Sequence, residues 1–514
     1  MRTFWIIVLT VMAAGWARAQ EQPHRGGTLV VRLNSDIRSL EPGINRDGQT
    51  DTVVNQIFEG LVAYRSDLSV GPALADSWTV SDDGKIYTFK LRPGVRFHNG
   101  APLTSADVKW SWDRQVASPG WLCRRSFDGG QGLKVEAVET PSPDQIVYRL
   151  AEPNALFLGN LANIQCGVLV SNPASAEGAS WTPIGTGPLK LKDWKRGESI
   201  TLERFADYSP SKAEPSGFSG ARVVYVDKVV FRVIPDDSVA EAALQTGAID
   251  VTPEIAPERA PNLKQRGVTI FNTPGLSWAA LLVQTTDPLF SNPKMRLALA
   301  HAINRAELAE VGTAGLSQAN SSSVSDSSSF YDDSFAAWPT YDPKQAQGLA
   351  REAGYAGQTI KIQTNKRYSR MYQNSILIQA MLAQAGFKAE LEVLDWATQL
   401  DRYLKGNFQL QSFGYSARFD PSQMYASWIG DKSANAWAQW EDPNAIRILA
   451  SSTASTNASD RKAAFKKLHA MVQEQVPIVG LYYDPVIEGV SPSVKNYKIW
   501  AANKTMTWGV WKDR

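Results

Sequence analysis

Two textures divide this chain. Residues 64–180 are rich in β-branched and aromatic residues and are cut by three pieces of turn chemistry, Asp82-Asp83-Gly84-Lys85, Arg92-Pro93-Gly94 and Asn99-Gly100. Glycine and asparagine reach the positive φ that tight turns between antiparallel strands require, so this stretch is expected to form a strand-rich unit with short hairpins. After about residue 274, helix and strand instead alternate at lengths typical of an α/β domain. At roughly 100–200 residues per domain, a chain of 514 residues should hold about three folding units.

Local signals fill in this outline. Gly26-Gly27 opens a run of β-formers to Leu33, a first strand. From Thr50 to Leu61, Val53, Val54, Ile57, Phe58 and Leu61 fall on one helical stripe. Ile200–Arg204 and Val229–Val233 read as strands and Val239–Gly247 as a helix. Asn292-Pro293 and Asp342-Pro343 each place a capping side chain before a proline at the first helical position, and Gly354 can close the second of these helices. Gln373–Ala385, ended by Gly386, and Ser459–Glu474 are further helices, followed by the strand-like Val479–Tyr483. Ser317–Ser329 reads most simply as a solvated loop, with a mobile lid as its functional alternative.

Charge and composition exclude several classes. Hydrophobic residues make up 43% and charged residues 20%, which disfavours disordered, collagen-like and multi-span membrane chains. Lys plus Arg total 53 and Asp plus Glu 51, and the first nineteen residues hold Arg2 and Arg18 but no acid, so the remainder carries 51 of each. That balance gives no electrostatic case for a nucleic acid or an anionic membrane as partner. The four histidines (24, 98, 301, 469) and two cysteines have no metal-ligand spacing, so neither a metal nor another cofactor is expected. His98 reads as a turn residue. Nothing resembles Gly-x-Ser-x-Gly, HExxH or another catalytic set, so an enzyme is not expected.

Residues 1–19 combine Arg2, an apolar run from Phe4 to Met12 and Ala17-Arg18-Ala19, the pattern of a secretory signal peptide. No cysteine follows the expected cleavage site, so a freely soluble protein outside the cytoplasm, in the periplasm, is anticipated. In that oxidising setting Cys123 and Cys166 are expected to form a disulfide, two buried thiols being the alternative.

The segment Leu74–Trp112, LADSWTVSDDGKIYTFKLRPGVRFHNGAPLTSADVKWSW, resembles the signature of family 5 extracellular solute-binding proteins, the peptide- and nickel-binding receptors of ABC importers. The likeness extends through LEPGINRDGQTDTVVNQIFEGLV (40–62), GTGPLKLKDWKRGESITLERFADY (185–208), DPLFSNPKMRLALAHAINRAEL (287–308), YDPKQAQGLAREAGY (341–355) and DWATQLDRYLKGNF, which ends at Phe408. It implies an α/β, three-domain periplasmic-binding-protein fold of type II, with two lobes around a ligand cleft and a hinge. Domain I would comprise 20–65, 184–273 and 487–514, domain II 66–183 and domain III 274–486. The implied function is capture of a small polar solute, a peptide or a peptide-like anionic compound, by a monomer that delivers it to an ABC permease in the inner membrane. An opine or oligosaccharide as solute, or a sensory or chaperone accessory role, are the alternatives.

The resemblance also points to residues. Trp396, in DWATQLDRY, matches a tryptophan that flanks the ligand in peptide-binding relatives; packing behind the site is its alternative. In Gly414-Tyr415-Ser416-Ala417-Arg418-Phe419-Asp420-Pro421, Arg418 stands where those relatives place the aspartate that grips a peptide ammonium, and one residue is missing before Asp-Pro. A guanidinium repels an ammonium but holds a carboxylate or phosphate bidentately, so an anionic ligand group is expected there, unless Arg418 pairs with Asp420. Ser422 stands where nickel-binding relatives have histidine. Tyr415, Asn45, Gln49, Asn365, Arg367 and Arg370 are further candidates, as are Trp278 and Trp110, placed where relatives line the cleft, though aromatics also build cores.

Overall fold

The computed structural model describes residues 22–129 and 132–513. The expected signal peptide lies outside them. Ten strands form one large sheet: β1 (Thr28–Leu33), β2 (Leu189–Lys195), β3 (Ser199–Arg204), β4 (Lys228–Val233), β5 (Val251–Thr252), β6 (Thr269–Val283), β7 (Ile360–Asn365), β8 (Ala389–Leu394), β9 (Leu410–Tyr415) and β10 (Ile478–Val490). Their order is β2-β3-β4-β1-β5-β10-β6-β9-β7-β8.

Two long antiparallel strands, β6 and β10, run through the middle and belong to both halves of that sheet. Thr269–Pro274 face Val490–Pro485, and after a break in register Trp278–Leu282 face Tyr483–Ile478. The break has a local cause: Pro274 and Pro485 oppose each other, and neither has an N–H to give to the ladder. The strand expected at Val479–Tyr483 is only the first part of β10, which continues past Pro485 to Val490.

Residues 64–180 do contain the expected hairpins. Ala75–Val80, Ile86–Leu91, Gln145–Leu150 and Val135–Ser142 form an antiparallel four-stranded sheet in that order. The first turn uses Gly84 at φ +70, a conformation in which a side chain would be strained. A helix the texture concealed, Ser105–Ala117, packs on this unit; the Asp107 carboxylate accepts from the Thr104 N–H at 2.8 Å to cap it. Cys123 and Cys166 are bonded, with Cα atoms 5.3 Å apart, joining the turn Leu122–Ser126 to the loop after the helix Leu156–Ala162.

Two expectations need correction. The helical stripe from Thr50 stops at Ile57; Phe58 and Leu61 are buried, but Phe58 is in extended backbone and Leu61 in a bend between two short strands. The serine-rich stretch is not a solvated loop: Ser321, Ser322, Ser323, Val324 and Ser325 are all buried. Several of its hydroxyls and carbonyls bond to protein groups in place of water. Trp428 Nε1 donates to Ser323 Oγ (3.0 Å) and the Tyr483 hydroxyl to the Ser322 carbonyl (3.1 Å).

Candidate functional site

A cavity of about 1430 Å³ opens between the four-stranded unit and the C-terminal α/β part. Leu133, Leu156, Asn160, Asn163 and Cys166 form one wall. The other is built on the ends of β7 and β9 and the helices that follow them. Asn365, fully buried at the end of β7, accepts from the Tyr368 N–H (2.9 Å) and donates to Gln399 Oε1 (2.8 Å), fixing the start of the helix Ser369–Gln384. Tyr368 then meets Trp396 edge to face at 4.9 Å between ring centroids, and Trp396 leans on Phe413 at 5.9 Å. Trp396 opens the helix Trp396–Leu404, where the Asp395 side chain accepts from the Thr398 N–H at 3.0 Å.

Of the residues singled out from the sequence, Arg418, Trp396, Tyr415, Arg367 and Arg370 line this cavity. Trp278 stands one ring behind: its indole is fully buried, stacked between Tyr415 and Tyr483 with centroids 6.1 and 6.2 Å away, and donates to the Asn320 carbonyl. Trp110 lies on the helix Ser105–Ala117 under the Arg114 guanidinium. Asn45 is exposed in a turn at φ +48, and Gln49 borders a small recess beside Lys504 and Glu254. These last three are not among the residues of the cavity wall.

The electrostatics centre on Arg418. Its Nη1 donates to Ser416 Oγ (2.8 Å) and to the carbonyls of Ser416 and Ala417 (3.2 and 3.1 Å), all neutral acceptors. Among the described residues no carboxylate pairs with it, and burial pulls its pKa below the usual arginine value, against an upward pull from Tyr403 and Tyr415. Asp420, the partner the sequence left open, is taken elsewhere. Arg461 Nη2 reaches its two oxygens at 2.7 and 2.8 Å, and it caps the helix Pro421–Tyr425 by accepting from the Ser422 N–H.

Sequence reasoning missed Asp484. It sits in the break of β10, lines the cavity and accepts from Arg370 Nη1 at 2.7 Å. Burial raises its carboxyl pKa while Arg370 lowers it. Only the proline at 485 hinted that the backbone turns a side chain aside there. Among the described residues the charged groups of the wall are thus three arginines and one acid, a cationic lining able to bind anionic groups. No cluster of His, Cys, Asp and Glu suited to a metal occurs among the described residues. Nor is any described helix long and apolar enough to cross a membrane.

Comparison with known proteins agrees with this geometry. HbpA2 from Haemophilus parasuis superposes with a TM-score of 0.85 at 22% identity, covering 95% of this chain and 100% of that one. DppA from Helicobacter pylori, an ABC transporter-associated periplasmic binding protein in complex with the peptide STSA, superposes at 0.71 with 26% identity over 96% of this chain and 99% of its own. In sequence, the glutathione-binding protein GsiB of Escherichia coli strain K12 is 27% identical over 489 residues, 92% of each chain. Residues 69–437 match the model of the bacterial extracellular solute-binding proteins, family 5 (middle region). With most of its length inside that match and a cationic cleft of ligand size between two parts of its fold, the chain belongs to the family 5 solute-binding proteins of ABC importers.

Proposed function

We propose that this protein captures a small peptide-like solute carrying an anionic group and presents it to an ABC permease, with Arg418 as the anion's anchor. The observation that carries this reading is a guanidinium in the cavity wall bonded only to neutral acceptors, while the nearby Asp420 is held by Arg461. A solute carboxylate would complete it with bidentate, charge-assisted bonds. Trp396 and Tyr415 would supply flat apolar area beside that group, and Arg367 and the Arg370–Asp484 pair would read the remaining polar groups. Domain boundaries near 65, 184, 273 and 487 fit this reading, with the crossings of β6 and β10 as the hinge. So does a monomer released by its signal peptide into the periplasm.

Glutathione, named in the GsiB relatives, is an anion of this class and the first solute to test. Mass spectrometry of material released by denaturing freshly purified protein identifies what is bound. Calorimetric titration with glutathione, neutral dipeptides and an opine then ranks them. An anionic compound is expected to be released and to bind most tightly; a neutral or cationic solute bound with the highest affinity would overturn the assignment.

A further inference from the structure

The serine-rich segment connects the C-terminal part of the molecule to the break in β6. At its start it is held inside the C-terminal part: Trp278 Nε1 donates to the Asn320 carbonyl (3.3 Å), Tyr483 to the Ser322 carbonyl and Trp428 to Ser323 Oγ. Asn320 Nδ2 ties the turn to itself by donating to the Val324 carbonyl (3.2 Å) and Asp326 Oδ1 (2.6 Å). The next two serine hydroxyls leave this core. Ser325 Oγ donates to the Gly275 carbonyl at 3.0 Å, and Ser327 Oγ to the Pro274 carbonyl at 2.8 Å. The Ser329 N–H then donates to the Asp67 carbonyl at 2.8 Å, in the turn before the four-stranded unit.

Those two carbonyls sit where β6 loses its ladder with β10. Pro485, opposite Pro274, has no N–H to offer, and the Ser327 hydroxyl is the donor that the Pro274 carbonyl receives. Gly275 is pressed so close to the Asp484 carbonyl that a Cβ there would stand 2.5 Å from it. Ser277 and Asp484, on the two strands at the break, line the cavity. The clasp therefore holds the backbone that joins the two parts, two and three residues before the cavity-lining Ser277.

We propose that Ser325 and Ser327 are positioning residues for solute capture: their hydroxyls clasp the β6 crossing and hold the two parts of the molecule at the angle seen here, in which the Ala155 N–H donates to the Thr453 carbonyl across the cleft. That contact is 2.8 Å long. The proposal deepens the binding-protein reading, on which it rests for the assumption that the two parts move. Serine suits the task because its short hydroxyl reaches a backbone carbonyl with little side-chain entropy to lose.

The test reads distance in ligand-free protein. Donor and acceptor dyes are carried by non-natural side chains at Lys134 and Arg447, exposed residues beside Leu133 and Ile446 on facing walls. In Ser325→Ala/Ser327→Ala the ratio of short- to long-distance populations should fall roughly tenfold, the effect of losing two ordinary hydrogen bonds from one state of a two-state equilibrium. Ser327→Thr, which keeps a hydroxyl, should stay near wild type. Ser323→Ala, whose bond lies wholly within the C-terminal part, should lower the melting temperature and leave the distance alone. An unchanged or shorter distance in the folded double variant, or an equal shift in Ser323→Ala, overturns the proposal. Failure of wild type to bind any anionic solute would instead count against the ligand reading, since the distance measurement uses none.

Discussion

Arg418 and Arg461 stand close in the fold yet meet opposite electrostatic fates. Arg461 is 6% exposed and its guanidinium is satisfied by Asp420 and the Ser452 carbonyl; breaking such a buried pair from one side typically costs about 3–5 kcal/mol of stability. Arg461→Ala should therefore lower the denaturant midpoint. Arg418 has no such internal partner, so Arg418→Ala should leave stability nearly unchanged and weaken binding of an anionic solute about thirtyfold or more. Arg418→Lys should recover part of this, since a point charge lacks the fork geometry. Titration calorimetry beside a melting curve separates the two effects; unchanged affinity in the folded alanine variant would assign Arg418 to the wall alone. A buried acid adds a pH test. Burial, with Glu254 adding to it and Tyr497 and Lys504 pulling back, pushes the Glu488 carboxyl up to about 7. The folded state holds this proton more tightly than the unfolded chain, so the stability it contributes is full below about 4.5 and is lost as pH rises through about 7. Glu488→Gln should accordingly raise the melting temperature more at about pH 8 than at about pH 5. Equal gains at the two pH values would remove Glu488 as the cause.

Among the elements, the disulfide and the serine-rich segment carry the cavity from opposite sides. Cys166 lines it while Cys123 is buried, and their bond holds the loop after Leu156–Ala162, with Asn163 and Gln165, against the turn Leu122–Ser126. With the partners 43 positions apart in the sequence, the chain-entropy model assigns the bridge at most about 4 kcal/mol. Cys123→Ala/Cys166→Ala should lower the denaturant midpoint and raise the slope, because the unfolded chain without the cross-link exposes more surface, and a denatured, unreduced wild type should show no reactive thiol. Two alkylated cysteines would refute the bridge. The serine-rich segment shows how composition misleads: runs of serine usually mean solvent, yet here buried aromatic N–H and O–H groups and strand carbonyls supply the partners that water otherwise would.

At the scale of the molecule, two strands continue from one half of the large sheet into the other, and the paired prolines interrupt them beside the cavity. A hinge needs only a few residues to absorb the backbone change. Closure on a solute is expected to rotate one part about residues 274–277 and 484–485, reducing the radius of gyration. Small-angle scattering with and without saturating solute checks this, and identical profiles would exclude it.

Sequence alone determined what depends on neighbours in the chain. Asn292, Asp342 and Gly354 mark helix ends because a cap or a left-handed turn is a matter of a few residues. The hairpins of the four-stranded sheet and the family likeness with its arginine in place of an acid are legible for the same reason, and the oxidised pair because the chain holds only two cysteines and reads as exported. Tertiary structure alone decided which groups face one another. That Asp420 turns to Arg461, that Asp484 enters the cavity, that Trp278 stands behind Tyr415, and that Ser325 and Ser327 reach β6 all depend on contacts 40 or more residues apart. A serine or an aspartate takes whichever partner packing brings within hydrogen-bond reach, and no local pattern records which one that is.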